Sequence, residues 1–98
     1  AWASAVLREA NRIQLERARE AGPDAIRRHR LLAARYGEGL PIREIAKRWD
    51  LDPTLLHRDY PKARKEFRSA LEAVIRDLSG GERASIEAEC ADLLAHFS

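Results

Sequence analysis

The segment from residue 39 to residue 68 constrains the fold of this chain most, because its apolar residues recur at helical spacing on both sides of a short turn. Ile45, Ala46 and Trp49 form one stripe, and Leu51 follows it in the turn. Five further apolar positions then succeed one another at spacings of four, three, four and four residues: Leu56, Tyr60, Ala63, Phe67 and Leu71. The pattern predicts two helices that pack against each other across a three-residue turn, which is a helix-turn-helix.

The face of the second helix opposite this stripe is polar and basic apart from one proline. Such a face suits the major groove of DNA, which admits an α-helix and offers hydrogen-bonding base edges. We expect base contacts from four side chains: Thr54, His57, Arg58 and Lys62. Arg58 is the strongest candidate, because a guanidinium pairs bidentately with guanine. Phosphate contacts are expected from the neighbouring basic side chains, which are Arg43, Lys47, Arg48, Lys65 and Arg68.

Positive charge is concentrated in the same part of the chain. Residues 25–68 carry twelve basic and six acidic side chains, whereas residues 69–98 carry two basic and six acidic ones. A basic patch supplies most of the non-specific affinity of a protein for nucleic acid. Charge alone favours an ordinary solvated surface, but charge together with the helix-turn-helix pattern favours DNA binding.

Four short stretches carry a resemblance to a known family. They are residues 40–46 (LPIREIA), 49–51 (WDL), 55–58 (LLHR) and 62–65 (KARK). In this order and without a gap they resemble the C-terminal region-4 domain of an extracytoplasmic-function sigma factor of bacterial RNA polymerase. The preceding residues 30–39 resemble the helix and glycine-containing turn that come before it in the family. The resemblance covers roughly residues 25–71 of the chain.

The resemblance implies a function and a set of partners. In that family, region 4 binds the −35 element of promoter DNA and docks on the flap of the polymerase β subunit. Double-stranded promoter DNA and the RNA polymerase core are therefore the expected partners, and an anti-sigma factor is a further one that the resemblance allows. We expect a monomer. The chain contains no methionine, which predicts that it is a fragment of a longer protein. The resemblance implies that this longer protein has a second, promoter-melting domain.

Two residues depart from the family pattern. Asp50 stands where the family usually has glycine, at a turn position that needs a left-handed backbone, which aspartate tolerates better than most residues. Pro61 is the ninth residue of the second helix of the predicted helix-turn-helix. It has no N–H to donate to the carbonyl of His57, and its ring collides with that carbonyl. We therefore expect this helix to bend by more than ~20° at Pro61, or to end near Tyr60 and restart.

Glycine and proline residues divide the chain into five predicted helices with no strand signal, at residues 2–20, 24–36, 41–49, 53–78 and 82–97. They predict one all-α domain over residues 1–98. Its parts are N-terminal helices at 1–36, the helix-turn-helix at 40–68, an extension of the long recognition helix at 69–78 and a C-terminal lid helix at 82–97. The lid helix should fold back on the domain through an apolar stripe: Ile86, Cys90, Leu93, Leu94 and Phe97.

Several functional classes find no support in the composition. No apolar run approaches the roughly 20 residues of a membrane span and no signal peptide opens the chain, so we expect a cytoplasmic protein without a membrane partner. The single cysteine and three scattered histidines predict neither a metal site nor a cofactor nor an enzyme. Tyr36 and Trp49 have the spacing of core residues, so we do not expect them to stack on bases.

Two other interpretations of the same features remain open. Within DNA binding, the chain could be the helix-turn-helix domain of a repressor or a transposase; a repressor normally dimerises to bind two half-sites. In a different class, it could be a helical protein-interaction module whose basic face docks on an acidic partner. Such a module would bind DNA without base preference.

Overall fold

The chain folds into α-helices throughout the part that the structure describes. The structure, a computed structural model, describes the backbone of residues 2–78 and 80–96 and the side chains of residues 5–78, 80–81, 83–88 and 91. Within these ranges it contains five helices and no strand. The helices are α1 (Trp2–Ala21), α2 (Pro23–Gly37), α3 (Ile42–Trp49), α4 (Pro53–Arg76) and α5 (Gly80–His96). The predicted all-α fold with five helices is confirmed.

Glycine and proline separate the first three helices, as predicted. Gly22 lies between α1 and α2 with φ of 120°, a backbone conformation that residues with a Cβ rarely adopt. Pro23 is then the first residue of α2, where its missing N–H costs no helical hydrogen bond. Gly39, with φ of 69°, lies in the connection between α2 and α3. The described helix ends lie within two residues of the predicted ones.

A three-residue turn joins α3 to α4. Asp50 adopts the left-handed conformation, with φ of 54° and ψ of 50°, as predicted for this position. Its N–H bonds the carbonyl of Lys47 at 3.3 Å, and the N–H of Leu51 bonds the carbonyl of Ala46 at 2.9 Å. This hydrogen-bond pair is the Schellman termination of a helix. Asp52 then caps α4 by accepting the N–H of Thr54 at 2.9 Å.

The buried apolar side chains form two clusters that share α2 and α4. The larger cluster joins α1, α2, α4 and α5: Val6, Ala10, Leu32, Ala63, Phe67, Ala70, Leu71, Ile75 and Ile86. The smaller one, which we call the α3 cluster, joins α2, α3 and the first turn of α4: Leu31, Ala34, Ile45, Ala46 and Leu56. Tyr60 packs against both clusters. The α3 cluster fixes the position of α3 relative to the start of α4.

Two ion pairs cross from α2 to α4, and we call them the arginine clamps. Arg27 donates from Nε to Oδ2 of Asp59 at 2.6 Å and from Nη2 to Oδ1 at 3.1 Å. Arg28 donates from Nε to Oε1 of Glu66 at 2.8 Å and from Nη2 to Oε2 at 3.0 Å. Each guanidinium thus holds a carboxylate through two hydrogen bonds, which fix its orientation as well as its distance.

The helix α4 runs through Pro61 without interruption, from Pro53 to Arg76. The predicted end near Tyr60 with a restart is therefore wrong. Pro61 is exposed, so its ring occupies no core position, while Leu56 before it and Ala63 after it are both fully buried. The tertiary packing of both halves of α4 offsets the local cost of an internal proline, which is roughly 3 kcal/mol.

The C-terminal helix α5 contributes one described residue to the core. Ile86 is buried in the larger cluster, between α1 and α4. Four other members of the predicted lid stripe lie outside the side chains that the structure describes: Cys90, Leu93, Leu94 and Phe97. The contact of Ile86 agrees with a helix that folds back on the domain, and the remainder of the lid stripe stays a prediction.

The expectation that Tyr36 is a core residue is wrong, because its side chain is 43% exposed. Tyr36 lies in the last turn of α2, and its hydroxyl meets the hydroxyl of Tyr60 at 2.6 Å. The two rings stack with their centroids 6.3 Å apart. Partial burial and the hydrogen bond to Tyr60 raise the pKa of Tyr36 to about 12. A phenol can occupy a partly exposed position of this kind because its hydroxyl finds a hydrogen-bond partner.

A buried histidine links α1 to α2. His29 is 8% exposed, and its Nε2 lies 2.8 Å from Oδ1 of Asn11. Burial, and to a lesser extent the charge of Arg19, lower the pKa of this imidazole below its ordinary value of 6.5. The folded protein therefore holds His29 in its neutral form more firmly than the unfolded chain does.

We expect acid to destabilise the fold through His29. Between the ordinary pKa of 6.5 and the lower folded-state pKa, the unfolded chain binds more protons, so the free energy of unfolding falls as the pH is lowered through this window. Urea denaturation over a pH series measures this dependence. His29→Gln should flatten it, whereas His57→Gln, at an exposed position of α4, should not. An equal pH dependence in wild type and His29→Gln would contradict this assignment.

Candidate nucleic-acid interface

The side chains predicted to contact bases all lie on the exposed face of α4. Thr54, His57, Arg58 and Lys62 are exposed, and they occupy three successive turns at the start of the helix. The opposite face is buried at Leu56, Ala63, Phe67 and Leu71. Since residues three and four positions apart share a helix face, the exposed side chains form one continuous surface.

The predicted phosphate contacts differ in how they are paired. Arg43 and Lys47 on α3 and Lys65 on α4 are exposed, and they form no ion pair with the residues that the structure describes. Arg48 instead has Glu44 at 3.6 Å, one turn earlier in α3, and Arg68 has Glu72 at 2.8 Å. An unpaired exposed cation can approach a phosphate without first breaking an ion pair. Arg43, Lys47 and Lys65 are therefore the better phosphate candidates.

The base candidates Arg58 and Lys62 are likewise exposed, and neither has an ion-pair partner within the described ranges. The acidic neighbours of these two residues in the sequence, Asp59 and Glu66, are held on the α2 side of the helix by the arginine clamps. Asp59 and Glu66 are thus bound to α2 rather than to the exposed basic side chains of the first half of α4. As a result, the exposed face keeps its positive charge.

The α3 helix is held against the start of α4 by apolar contacts. Ile45 is fully buried and Ala46 is 1% exposed, and both pack in the α3 cluster with Leu56. Trp49 packs on the same cluster from outside, and the guanidinium of Arg30 lies 5.0 Å from the centre of its ring. This distance is within the range of a cation–π contact. Trp49 is thus a partly buried packing residue, in accordance with the prediction for it.

Four polar residues that hold α4 in place were not anticipated from the sequence. Asp59 has only 6% of its side chain exposed and is bound by Arg27, while Arg28 binds Glu66. A signal was available for Asp59, which lies three residues after Leu56 and four before Ala63, within the buried stripe. The identity of its partner was not available, because Arg27 is separated from it by 32 residues.

Other kinds of site are not evident in the described residues. No group of three or more His, Cys, Asp or Glu side chains among them could hold a metal ion. None of the described helices has the length and apolar character needed to cross a membrane. A cavity of about 640 Å³ lies away from the basic face, between α1, the end of α4 and α5, where it is lined by Val6, Val74, Leu78 and Ile86 among others.

Comparison of the chain with protein-family models, with curated proteins and with solved structures gave no match.

Proposed function

We propose that this chain is a sequence-specific DNA-binding domain, with α3 as the supporting helix and α4 as the recognition helix of a helix-turn-helix. The more specific proposal, based on the sequence resemblance, is that it binds the −35 promoter element as region 4 of a sigma factor. Its partners would then be promoter DNA and the β flap of RNA polymerase. It acts by binding alone, in the cytoplasm, and as a monomer.

One observation supports this proposal: the exposed face of α4 from Thr54 to Lys65 is basic and forms no ion pair with the described residues, while the helix itself is fixed from behind. Arg58, Lys62 and Lys65 are exposed and unpaired among the described residues, and Leu56 and Asp59 anchor the opposite side. A helix fixed in this way can enter a major groove without reorganisation. The left-handed Asp50 and the cap at Asp52 set the angle at which α4 leaves α3.

The rival functions differ from this one in measurable properties. A repressor domain would bind as a dimer to two half-sites, so the molecular mass of the complex separates it from a monomeric sigma domain. A protein-interaction module with a basic docking face would bind duplexes of any sequence equally. A selection from random duplex DNA, with the mass of the selected complex measured by light scattering, therefore tests all three.

The first prediction from this proposal concerns phosphate contacts. Duplex DNA should bind with a steep salt dependence, and Lys65→Ala should reduce the slope of log K against log[salt] by about 0.9. The loss of affinity should be similar for all duplex sequences, because phosphates carry no sequence information. Fluorescence anisotropy over a salt series provides the measurement. Arg8→Ala is the matched control, since Arg8 is exposed on α1, outside the proposed interface. If both variants changed the slope equally, Lys65 would have no specific role.

The second prediction concerns base contacts. Arg58→Ala should cost roughly 1 to 3 kcal/mol on the preferred duplex and should relax discrimination at one or two base pairs. The reason is that a guanidinium makes two hydrogen bonds to one guanine, which alanine cannot replace. The measurement is a selection with wild type, Arg58→Ala and Lys65→Ala. If the selection with Arg58→Ala returned the wild-type consensus sequence, bound with wild-type affinity, Arg58 would not contact a base.

A further inference from the structure

The arginine clamps lie on the two sides of Pro61. Asp59, bound by Arg27, precedes the proline by two residues, and Glu66, bound by Arg28, follows it by five. A third contact lies between them: the buried side chain of Gln14 on α1 donates from Nε2 to the carbonyl of Ala63 at 3.3 Å. Three contacts from α1 and α2 therefore reach α4 within eight residues of sequence, around its only internal proline.

This stretch is also the weakest part of α4 in terms of its own hydrogen bonds. Pro61 has no N–H, so the carbonyl of His57 lacks its helical donor, and the proline ring crowds that carbonyl. Helices usually kink at such a position. The His57 carbonyl belongs to the same turn as Arg58, which precedes the proline, whereas Lys62 and Lys65 follow it. Any change of angle at Pro61 would turn these two groups of side chains relative to each other.

We propose that the two arginine clamps act as a splint across Pro61, holding the two halves of α4 in one fixed orientation. Arg27 and Asp59 fix the half that carries His57 and Arg58, and Arg28 and Glu66 fix the half that carries Lys62 and Lys65. These four residues are positioning residues, since they lie on the α2 side of the helix and not on its exposed face. The consequence for DNA rests on the proposed function, whereas the splint is a property of the fold.

The chemistry of the clamps suits this role. Arginine is a planar donor that binds a carboxylate through two parallel hydrogen bonds, so each pair resists rotation as well as separation; lysine is a point charge and does not. The clamps are largely shielded from water, with side-chain exposures of 23% for Arg27, 6% for Asp59, 18% for Arg28 and 37% for Glu66. The hydrogen bonds that Arg27 and Arg28 donate to Asp59 and Glu66 raise the pKa of both guanidinium groups, so both arginines stay charged.

The test is a double-mutant cycle between the more exposed clamp and the proline. Arg28→Lys keeps the charge and removes the planar donor, and Pro61→Ala restores the missing N–H. Hydrogen exchange at the backbone amides of residues 62–66 is measured by NMR in wild type, in each single variant and in the double variant. Arg28→Lys should accelerate exchange at these amides by about tenfold, the factor that one lost hydrogen bond to a charged group produces. In the Pro61→Ala background the same substitution should have less than about a third of that effect.

The amides of α1 provide the internal reference, because a general loss of stability would accelerate exchange there as well. Arg12→Lys is the matched control variant, since Arg12 is exposed and pairs with Glu9 and Glu16 within α1 only. If Arg28→Lys does not yield a folded protein, Glu66→Gln takes its place, because it breaks the same ion pair at its more exposed member. An equal acceleration with and without the proline would overturn the splint, because the clamp would then stabilise the domain irrespective of Pro61.

A binding measurement on the same four proteins separates the splint from the proposed function. Arg28→Lys should weaken binding to the preferred duplex several-fold, although residue 28 does not lie on the exposed face of α4. If the wild-type chain binds no duplex DNA, the proposed function is wrong, and the exchange coupling alone then supports or overturns the splint. If DNA binds and the exchange shows no coupling, the splint is wrong while the proposed function stands.

Discussion

Replacing Asp59 by alanine is expected to lower the free energy of unfolding by about 3 kcal/mol. Breaking a buried ion pair from one side costs roughly 3 to 5 kcal/mol, because the other charge remains without its partner. We expect the lower end of this range, since Arg27 is 23% exposed and keeps Asp24 at 2.9 Å as a second partner. Urea denaturation followed by far-UV circular dichroism measures the change. For a domain of this size, it is a large part of the total stability.

Two controls make this prediction specific. Glu9→Ala removes one partner of Arg12 in an ion pair whose two side chains are 44% and 54% exposed, and it should have little effect. The double variant Arg27→Ala with Asp59→Ala should be less destabilised than the sum of the two single variants, because it leaves no unpaired charge. Two results would contradict the buried clamp. One is a double variant whose loss of unfolding free energy equals the sum of the two single losses. The other is a loss of unfolding free energy in Asp59→Ala that is no larger than the loss in Glu9→Ala.

Leu56→Ala should cost about 2 to 5 kcal/mol, the range observed when a fully buried leucine is truncated. Leu56 has no exposed surface and contributes the only α4 side chain among the buried residues of the α3 cluster. Its truncation leaves a cavity between α3 and α4, so the connection between the two helices should loosen. Denaturation curves give the stability, and the near-ultraviolet signal of Trp49, which packs on this cluster, reports the local change.

Leu55→Ala is the matched control for this substitution. Leu55 is the preceding residue of α4, also a leucine, but only partly buried. Its truncation should cost clearly less, and it should leave the Trp49 signal as in wild type. Equal losses in the two variants would show that the buried packing assigned to Leu56 does not carry the contact between α3 and α4.

Local chemistry explains why the helices and the turn could be predicted from the sequence. Pro23 has a fixed φ and no N–H, whereas Gly39 adopts a positive φ that residues with a Cβ rarely reach, so each marks a helix end whatever the rest of the chain does. The left-handed backbone at Asp50 is expected from the family pattern, which usually has glycine at this turn position, and its φ of 54° agrees. The buried stripe of α4 followed from spacing. The exposure of Thr54, His57, Arg58 and Lys62 followed from the same stripe, and their contact with DNA stays a prediction.

Features that depend on how helices cross could not be predicted. The pairing of Arg27 with Asp59 requires that α2 lies beside α4 in one register, and the charges alone allow many other partners for either residue. Of the two alternatives predicted for Pro61, a bend or an end of the helix near Tyr60, the second is wrong because the local rule leaves out the contacts that Ala63 and Glu66 make with α1 and α2. The spacing of Tyr36 predicts a core position, but the residue lies in the last turn of α2 and is 43% exposed.

The continuous exposed face of α4 has a consequence for how such a domain can evolve. Thr54, His57, Arg58 and Lys62 have exposed side chains outside both apolar clusters, so substitutions there should change stability by only about 0.5 kcal/mol in either direction. Asp59, next in the chain to Arg58, is held in a clamp and has no such freedom. Under the proposed function, mutational drift can therefore alter which duplex sequences the domain prefers while the scaffold beneath stays unchanged. The codons of neighbouring residues in one helix, such as Arg58 and Asp59, would then evolve at very different rates.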